Sequence, residues 1–389
     1  MNIKELDREF IADTYARNDV LFVKGRGSFL YDESGKEYID IGSGIAVNIF
    51  GAADDSWAQA VTKQLSKLQH TSNLYYTEPQ ALLARTLCER TGMKKVFFSN
   101  SGAEANEAAI KAARKYSTDK HGGSEEFNSI ITLKNSFHGR TITTLAATGQ
   151  DVFHKDFAPF TEGFFHAEPN DICSVKKLVK ENGCCAVMME LVQGEGGVAV
   201  LDKVFVKEVS RICDENNLLL IIDEVQTGNG RTGELYCYMN YGIMPDIVTT
   251  AKGLGGGLPI GCAMLGEKVE NVFGKGSHGS TFGGNPVCAA GALNVISRID
   301  DALLRDIKAK SAYIVESLSG QKGVKSISGL GLMLGIETAR PAAEVVGECL
   351  ERGVVCLTAI DKVRLLPALN IPDAALKKAI HILKEVINK

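Results

Sequence analysis

The chain has 389 residues, 45% of them hydrophobic, and a formal net charge of −4 with acidic and basic residues interspersed. That length can bury a large core and sets a prior of two or three domains, while the charge pattern leaves no basic stripe for nucleic acid and no polybasic or amphipathic membrane anchor. The opening MNIKELDREF lacks the apolar core of a leader, no apolar run approaches bilayer length, and the ten cysteines are scattered without a CxxC pair, so the expectation is a cytoplasmic protein with reduced thiols.

In chain order, FVKGRGSFLYDESGKEYIDIGSG comes first and alternates like strand, broken by Gly and Asp-Glu-Ser-Gly turns. From about residue 95 to residue 265, short β-rich runs alternate with helical stretches: KKVFFSN, SIITLKN, CCAVMMELV, LLLIIDE, PDIVTTAK and GCAMLG. Runs apolar on both faces, with room between them for a crossover helix, predict a parallel sheet covered by helices. Ligands in such sheets sit outside the carboxyl ends of the strands. The last hundred residues mix helical segments (NPVCAAGALNVISRI, AALKKAIHILKEVI) with short strands (GLMLGIE, VRLLPAL), and both chain ends read as α+β material flanking the sheet.

Three stretches carry chemistry. In FFSNSGAEANEAAIKAARKY, residues Ala105, Ala108, Ala109, Ala112, Ala113 and Tyr116 recur at helical spacing, and Ser101 with Glu104 predicts a capping box. The small Ser101, Gly102 and Ala103 then present free N–H groups at the positive end of a helix, which reads either as a phosphate site or as an ordinary capped start. In LLLIIDEVQTGNGRTGELY, five apolar residues end at Asp223 and Glu224. A carboxylate there is either a turn cap or the partner that keeps a pyridine nitrogen protonated as an electron sink. In DIVTTAKGLGGGLPIG, Lys252 follows a strand and precedes a glycine turn; it is either a solvated strand-end lysine or, in a partly dry site, an amine able to form a Schiff base. The glycine run has neither GxGxxG nor GxxxxGK[ST] spacing, and the seven histidines show no metal-ligand spacing.

These stretches, with FHGRT at 137–141 and QGEGGV at 193–198, resemble in order and spacing the signature of class III pyridoxal-phosphate aminotransferases. NLYYTEPQ and the GSTFGGNP at 279–286 extend the resemblance over essentially the whole chain. It implies the α/β PLP-dependent transferase fold type I: a large domain (46–285) with a mostly parallel sheet, and a smaller α+β domain from residues 1–45 and 286–389. A ligand-binding protein that had only kept the fold would have lost Lys252, Asp223 or the phosphate turn, and all are present.

Carried over residue by residue, the resemblance implies that Lys252 bonds pyridoxal 5′-phosphate through its amine and later moves a proton, while Asp223 pairs with the pyridine nitrogen. Gln226 would bond the phenolic oxygen, Val225 and Phe137 would cover the two ring faces, and Ser101, Gly102 and Ala103 would hold the phosphate. Thr281 would reach the phosphate of a neighbouring subunit, with Ser280 near the substrate, which implies a homodimer with shared active sites. Arg140 can grip a substrate α-carboxylate with a planar fork.

The reaction implied moves the δ-amine of an acylated ornithine such as N-acetylornithine to 2-oxoglutarate; succinyl-diaminopimelate, succinylornithine, ornithine and 4-aminobutyrate are donors of relatives. One pocket must also take glutamate at its α-carbon. The resemblance assigns that switch to Arg364, masked by Glu195 until glutamate arrives. His138 reads as a structural hydrogen-bonder, and Glu190 as a structural partner without a chemical role. One departure stands out: after GIAVN, family members commonly carry Gly-His, another His and a Pro, whereas this chain has Ala52 and Ala53 there, near the expected substrate entrance.

Overall fold

The computed structural model describes residues 1–389. Near the N-terminus, β1 (Phe22–Arg26), β2 (Phe29–Asp32) and β3 (Glu37–Asp40) form an antiparallel meander. The long apolar runs then build a seven-stranded sheet from β4 (Lys95–Ser99), β5 (Ser129–Leu133), β6 (Phe164–Ala167), β7 (Cys184–Met189), β10 (Leu219–Asp223), β11 (Ile247–Thr250) and β12 (Gly261–Leu265). Between β7 and β10 lies a short hairpin, β8 (Val192–Gln193) and β9 (Ala199–Val200). All residues of β7, β10, β11 and β12 are buried, because helices cover both faces and no strand residue needs to be polar for solvent.

The strand order is β4-β12-β11-β10-β7-β5-β6. All six runs read from the sequence are strands of this sheet; β6 was not among them, its FFHA being short and half-buried. The sheet is not wholly parallel as the runs alone suggest: β12 is antiparallel to both β11 and β4. A tight turn from Lys252 to Gly261 joins β11 to β12, too short for a crossover helix, so the chain reverses.

Register brings the chemistry to one rim. Ile222 of β10 lies opposite Met189 of β7, and Asp223 lies opposite Thr249 of β11. Glu190 therefore stands level with Asp223 on a neighbouring parallel strand, and Lys252 follows shortly after Thr249 at the same end of the sheet. The helix Gly102–Lys120 packs against β11 and β12 through Ala105, Ala108, Ala109, Ala112 and Ala113, all fully buried, while Tyr116 is half-buried at the margin. Alanines let the helix axis lie close to the sheet, and Gly261 allows its first turn to do so: a Cβ there would stand 2.3 Å from the Ser101 carbonyl oxygen.

Beyond the sheet, β13 (Val324–Leu330), β14 (Met333–Thr338), β16 (Leu357–Ala359) and β17 (Lys362–Leu365) form a four-stranded sheet in the order β13-β14-β17-β16. The intervening β15 (Val354–Val355) pairs in parallel with β3, so residues from both chain ends share one sheet. Arg364 sits within β17, opposite Gly335 and Leu357, which carries it to the large sheet's loops.

Candidate active site

Asp223 ends β10 with only 3% of its surface exposed. Its Oδ2 accepts from the Asn106 side-chain amide at 2.8 Å and from His138 Nδ1 at 2.8 Å; its Oδ1 accepts the Val225 N–H at 3.0 Å. An ionised carboxylate accepts only, so Nδ1 carries the proton in the His138 bond. Three donors leave part of the carboxylate's acceptor capacity unused. The same network has two buried atoms without a partner, His138 Nε2 and Asn106 Oδ1.

Lys252 follows β11 with φ +45°, in the left-handed region that is strained for a residue with a Cβ. The buried Asn229 holds the preceding segment through Thr250 Oγ1 (3.0 Å) and the Ala251 carbonyl (3.3 Å). Burial lowers the Lys252 pKa; Glu195 and Asp223 oppose the shift, and Arg364 adds to it. Those two carboxylates are engaged elsewhere, Glu195 with Arg364 and Asp223 with His138, so neither forms a direct ion pair with the amine.

Lys252 and Asp223 line a cavity of about 460 Å³ together with Ser101, Gly102, Ala103, Phe137, Arg140, Val225 and Gln226. This volume is in the usual range for a cofactor or small-ligand site. At one side is the start of the Gly102–Lys120 helix, whose first N–H groups have no intrahelical acceptor. Ser101 caps it by accepting the Glu104 N–H at 3.1 Å, but the expected reciprocal bond is shifted by one residue: the Glu104 carboxylate takes the Asn100 N–H at 2.7 Å. The entering Ser101 is extended (φ −150°, ψ 167°), which places the Asn100 amide within reach of the helix mouth. Gly102 must be glycine for this packing, since a Cβ would come within 2.7 Å of Val225 Cγ1. Arg140 is exposed to the cavity mouth, with its guanidinium 4.0 Å from the Phe153 ring centre and 5.5 Å from that of Phe137.

Behind Gln226 lies the Glu195–Arg364 ion pair, 2.6 Å between Oε1 and Nη1. Arg364 is 3% exposed and also donates to Gln226 Oε1 at 3.1 Å. Burial disfavours the Glu195 charge, but Arg364 outweighs it and the net shift of the carboxyl is downward. Neither member of the pair lines the cavity itself; Gln226 stands between, its amide 3.4 Å from Glu195 Oε1.

Ser280 and Thr281 are not brought into this cavity. Ser280 Oγ accepts from Asn100 Nδ2 at 3.2 Å and from the Gly283 N–H at 2.9 Å. Thr281 is exposed, beside the exposed Phe282, and lines a surface depression with Asn73 and Gln80. Ala52 and Ala53 also lie off the cavity; Ala52 pairs with Gly27. Sequence reasoning missed Asn106, although one buried asparagine on an alanine-rich helix face was a signal that something polar faces it. It also stopped short of linking His138 to Asp223, which lie 85 residues apart.

A family model described as aminotransferase class III matches residues 11–387. The acetylornithine aminotransferase of Haemophilus ducreyi is 50% identical over 389 residues, covering 100% of this chain and 98% of its own. The succinylornithine transaminase of Yersinia pseudotuberculosis is 43% identical, covering 96% of this chain and 93% of its own. Among solved structures, the ornithine aminotransferase of Toxoplasma gondii, described with partial PLP occupancy at its active site, superposes with a TM-score of 0.94 at 30% identity, covering 99% of this chain and 93% of its own.

Proposed function

The chain belongs to the class III aminotransferases, which are PLP-dependent, and from that premise we propose that it moves the δ-amino group of N2-acetyl-L-ornithine to 2-oxoglutarate, yielding N-acetyl-L-glutamate 5-semialdehyde and L-glutamate. The residues present fit the cofactor. Asp223 has acceptor capacity left over, the helix start at Gly102 and Ala103 suits a phosphate, and Lys252 offers a buried amine. When bound, PLP supplies a carbonyl that condenses with amines and a ring that accepts electron density.

The chain's own residues divide the remaining work. Asp223, fixed by His138, Asn106 and Val225, would hold a proton on the pyridine nitrogen. Lys252 loses its proton more readily than a free lysine because it is buried, so it can take a proton at one carbon and return it at another. Val225 and Phe137 would cover the ring and exclude water, Gln226 would bond its phenolic oxygen, and Ser101, Gly102 and Ala103 would take the phosphate. Arg140 would grip the donor's α-carboxylate at the mouth, and Ser280, outside its own chain's cavity, would stand near the substrate bound by the neighbouring subunit.

The observation that carries the two-substrate reading is the Glu195–Arg364 pair, its guanidinium buried and its carboxylate half-buried, one residue behind the cavity wall, and the 50% identity to an acetylornithine aminotransferase supports the choice of donor. A donor whose reactive end bears no carboxylate leaves the pair closed. Glutamate, reacting at its α-carbon, needs a cation there, and Arg364 becomes that cation once Glu195 turns away. The reading includes a cytoplasmic homodimer in which Thr281 serves the neighbouring subunit's phosphate. Its outward placement and the exposed Leu74, Tyr76 and Phe282 support this arrangement.

The test is a donor panel with the purified protein and PLP, following the visible band and glutamate formation from 2-oxoglutarate. N-acetylornithine should give the largest kcat/KM, ahead of N-succinylornithine, succinyl-diaminopimelate, ornithine and 4-aminobutyrate. A larger value for 4-aminobutyrate, or no glutamate, would refute the assignment.

A further inference from the structure

Glu190 is the one buried acid of the cavity wall to which the reaction so far gives no task. It follows β7 directly, is 5% exposed, and lines the cavity. Its two oxygens point to two different loops: Oε1 accepts the Phe137 N–H at 2.8 Å and Oε2 accepts the Gly194 N–H at 3.2 Å. Phe137 begins the segment that covers the cavity and carries Arg140. Gly194 precedes Glu195, and its carbonyl accepts from Arg364 at 3.4 Å.

We propose that Glu190 is a positioning residue: its carboxylate locks the Phe137 wall to the Gly194–Glu195 turn, so that the ring cover and the substrate gate keep one relative geometry. The proposal rests on the reading of Glu195 and Arg364 as that gate. Two facing N–H donors are met best by the ionised carboxylate, which accepts fully at each oxygen; protonation puts an O–H on one oxygen and weakens the bond it accepts. Burial raises the proton affinity of Glu190, with His138 opposing the shift and Asp223 adding to it; Lys252 also faces it across the cavity. A buried acid that had to be charged merely to fill space would be replaced by an apolar side chain at lower cost. Holding two loops at once is a task an apolar residue cannot perform.

Glu190→Gln keeps the shape and removes one acceptor. In the protein without cofactor, amide hydrogen exchange at Phe137 or Gly194 should accelerate by about tenfold or more, as for loss of one hydrogen bond to a charged group. Exchange at Val187, inside β7, should stay unchanged. With cofactor, the ratio of kcat/KM for glutamate to that for the acylated donor should shift by roughly fivefold or more. Unchanged exchange at both amides, or faster exchange with a ratio constant within twofold, would overturn the proposal. Should the variant not fold, the parent protein decides: protection at these two amides should fall relative to Val187 as the pH is lowered and Glu190 takes its proton, and flat protection refutes the tie. A parent protein that makes no glutamate would sink the functional reading, while the exchange measured without cofactor still decides the role of Glu190.

Discussion

Replacing Glu195 by glutamine probes the gate with the least change in shape. Arg364 is almost wholly buried, and Nη1 reaches Glu195 at 2.6 Å, Gln226 at 3.1 Å and the Gly194 carbonyl at 3.4 Å. The variant keeps an acceptor but loses the charge. Arg364 keeps its charge, so the remaining bond is still one to a charged group, and the gate loses the attraction between opposite charges, on the order of 1–1.5 kcal/mol for a pair with a partly exposed carboxylate. That is about tenfold in the equilibrium glutamate must displace. Single-turnover bleaching of the visible band should show glutamate gaining about tenfold in efficiency relative to N-acetylornithine, with cofactor retention unchanged. An unchanged ratio, or cofactor loss in place of a ratio change, would refute the gate. The sign with pH follows from the downward shift of Glu195 from 4.5: the pair is intact above that value and opens only as pH falls through the lower, folded-state pKa. The contribution of this carboxyl to selectivity should therefore be flat above about pH 5.

Lys252→Ala should abolish the visible band of lysine-bound cofactor and lower turnover by at least about a hundredfold, checked by absorbance and single-turnover kinetics. Arg140→Ala should cost about 1.5–3 kcal/mol of donor binding, read as a rise in KM with the cofactor band unchanged. Sedimentation should give a dimer, and Thr281→Ala should weaken cofactor retention although Thr281 lies outside its own chain's cavity. Burial pushes Glu224 up from 4.5 to about 7, so the folded state holds its proton more tightly than the unfolded chain. Stability from this group is full below 4.5 and is lost as pH rises towards about 7, a decline that urea unfolding of Glu224→Gln should lack.

The middle of the sheet was legible because β7, β10, β11 and β12 are buried on both faces, so apolar runs such as LLLII and CCAVMM mark it without a periodicity argument. β6 was not, because FFHA is short and half-buried. The reversal of β12 follows from the length of the Lys252–Gly261 turn, which the sequence displays but which a glycine-rich stretch does not translate into a direction. Asp223 and Lys252 could be read from their places at strand ends. Their supports could not: His138, Asn106 and Glu190 act across loops, and nothing local to FHGRT or to MMELVQ says which distant group each will meet. Arg364 and Glu195 lie 169 residues apart and needed a resemblance to be paired at all.

The adjacent acids at the end of β10 show how one strand end can serve site and core together. Successive side chains of a strand point to opposite faces. Asp223 therefore faces the cavity, while Glu224 turns inward, fully buried, and accepts from the Thr227 hydroxyl and the Tyr238 N–H. Those two bonds close the turn that follows, and the turn carries Val225 and Gln226 to the cavity wall. Burial pushes the Glu224 carboxyl up to about 7, with Asp223 adding to the shift, so a second charge beside Asp223 is disfavoured. The strand end thus turns Asp223 to the cavity, where it would hold a pyridine nitrogen protonated, and gives Glu224 to the turn that shapes the wall.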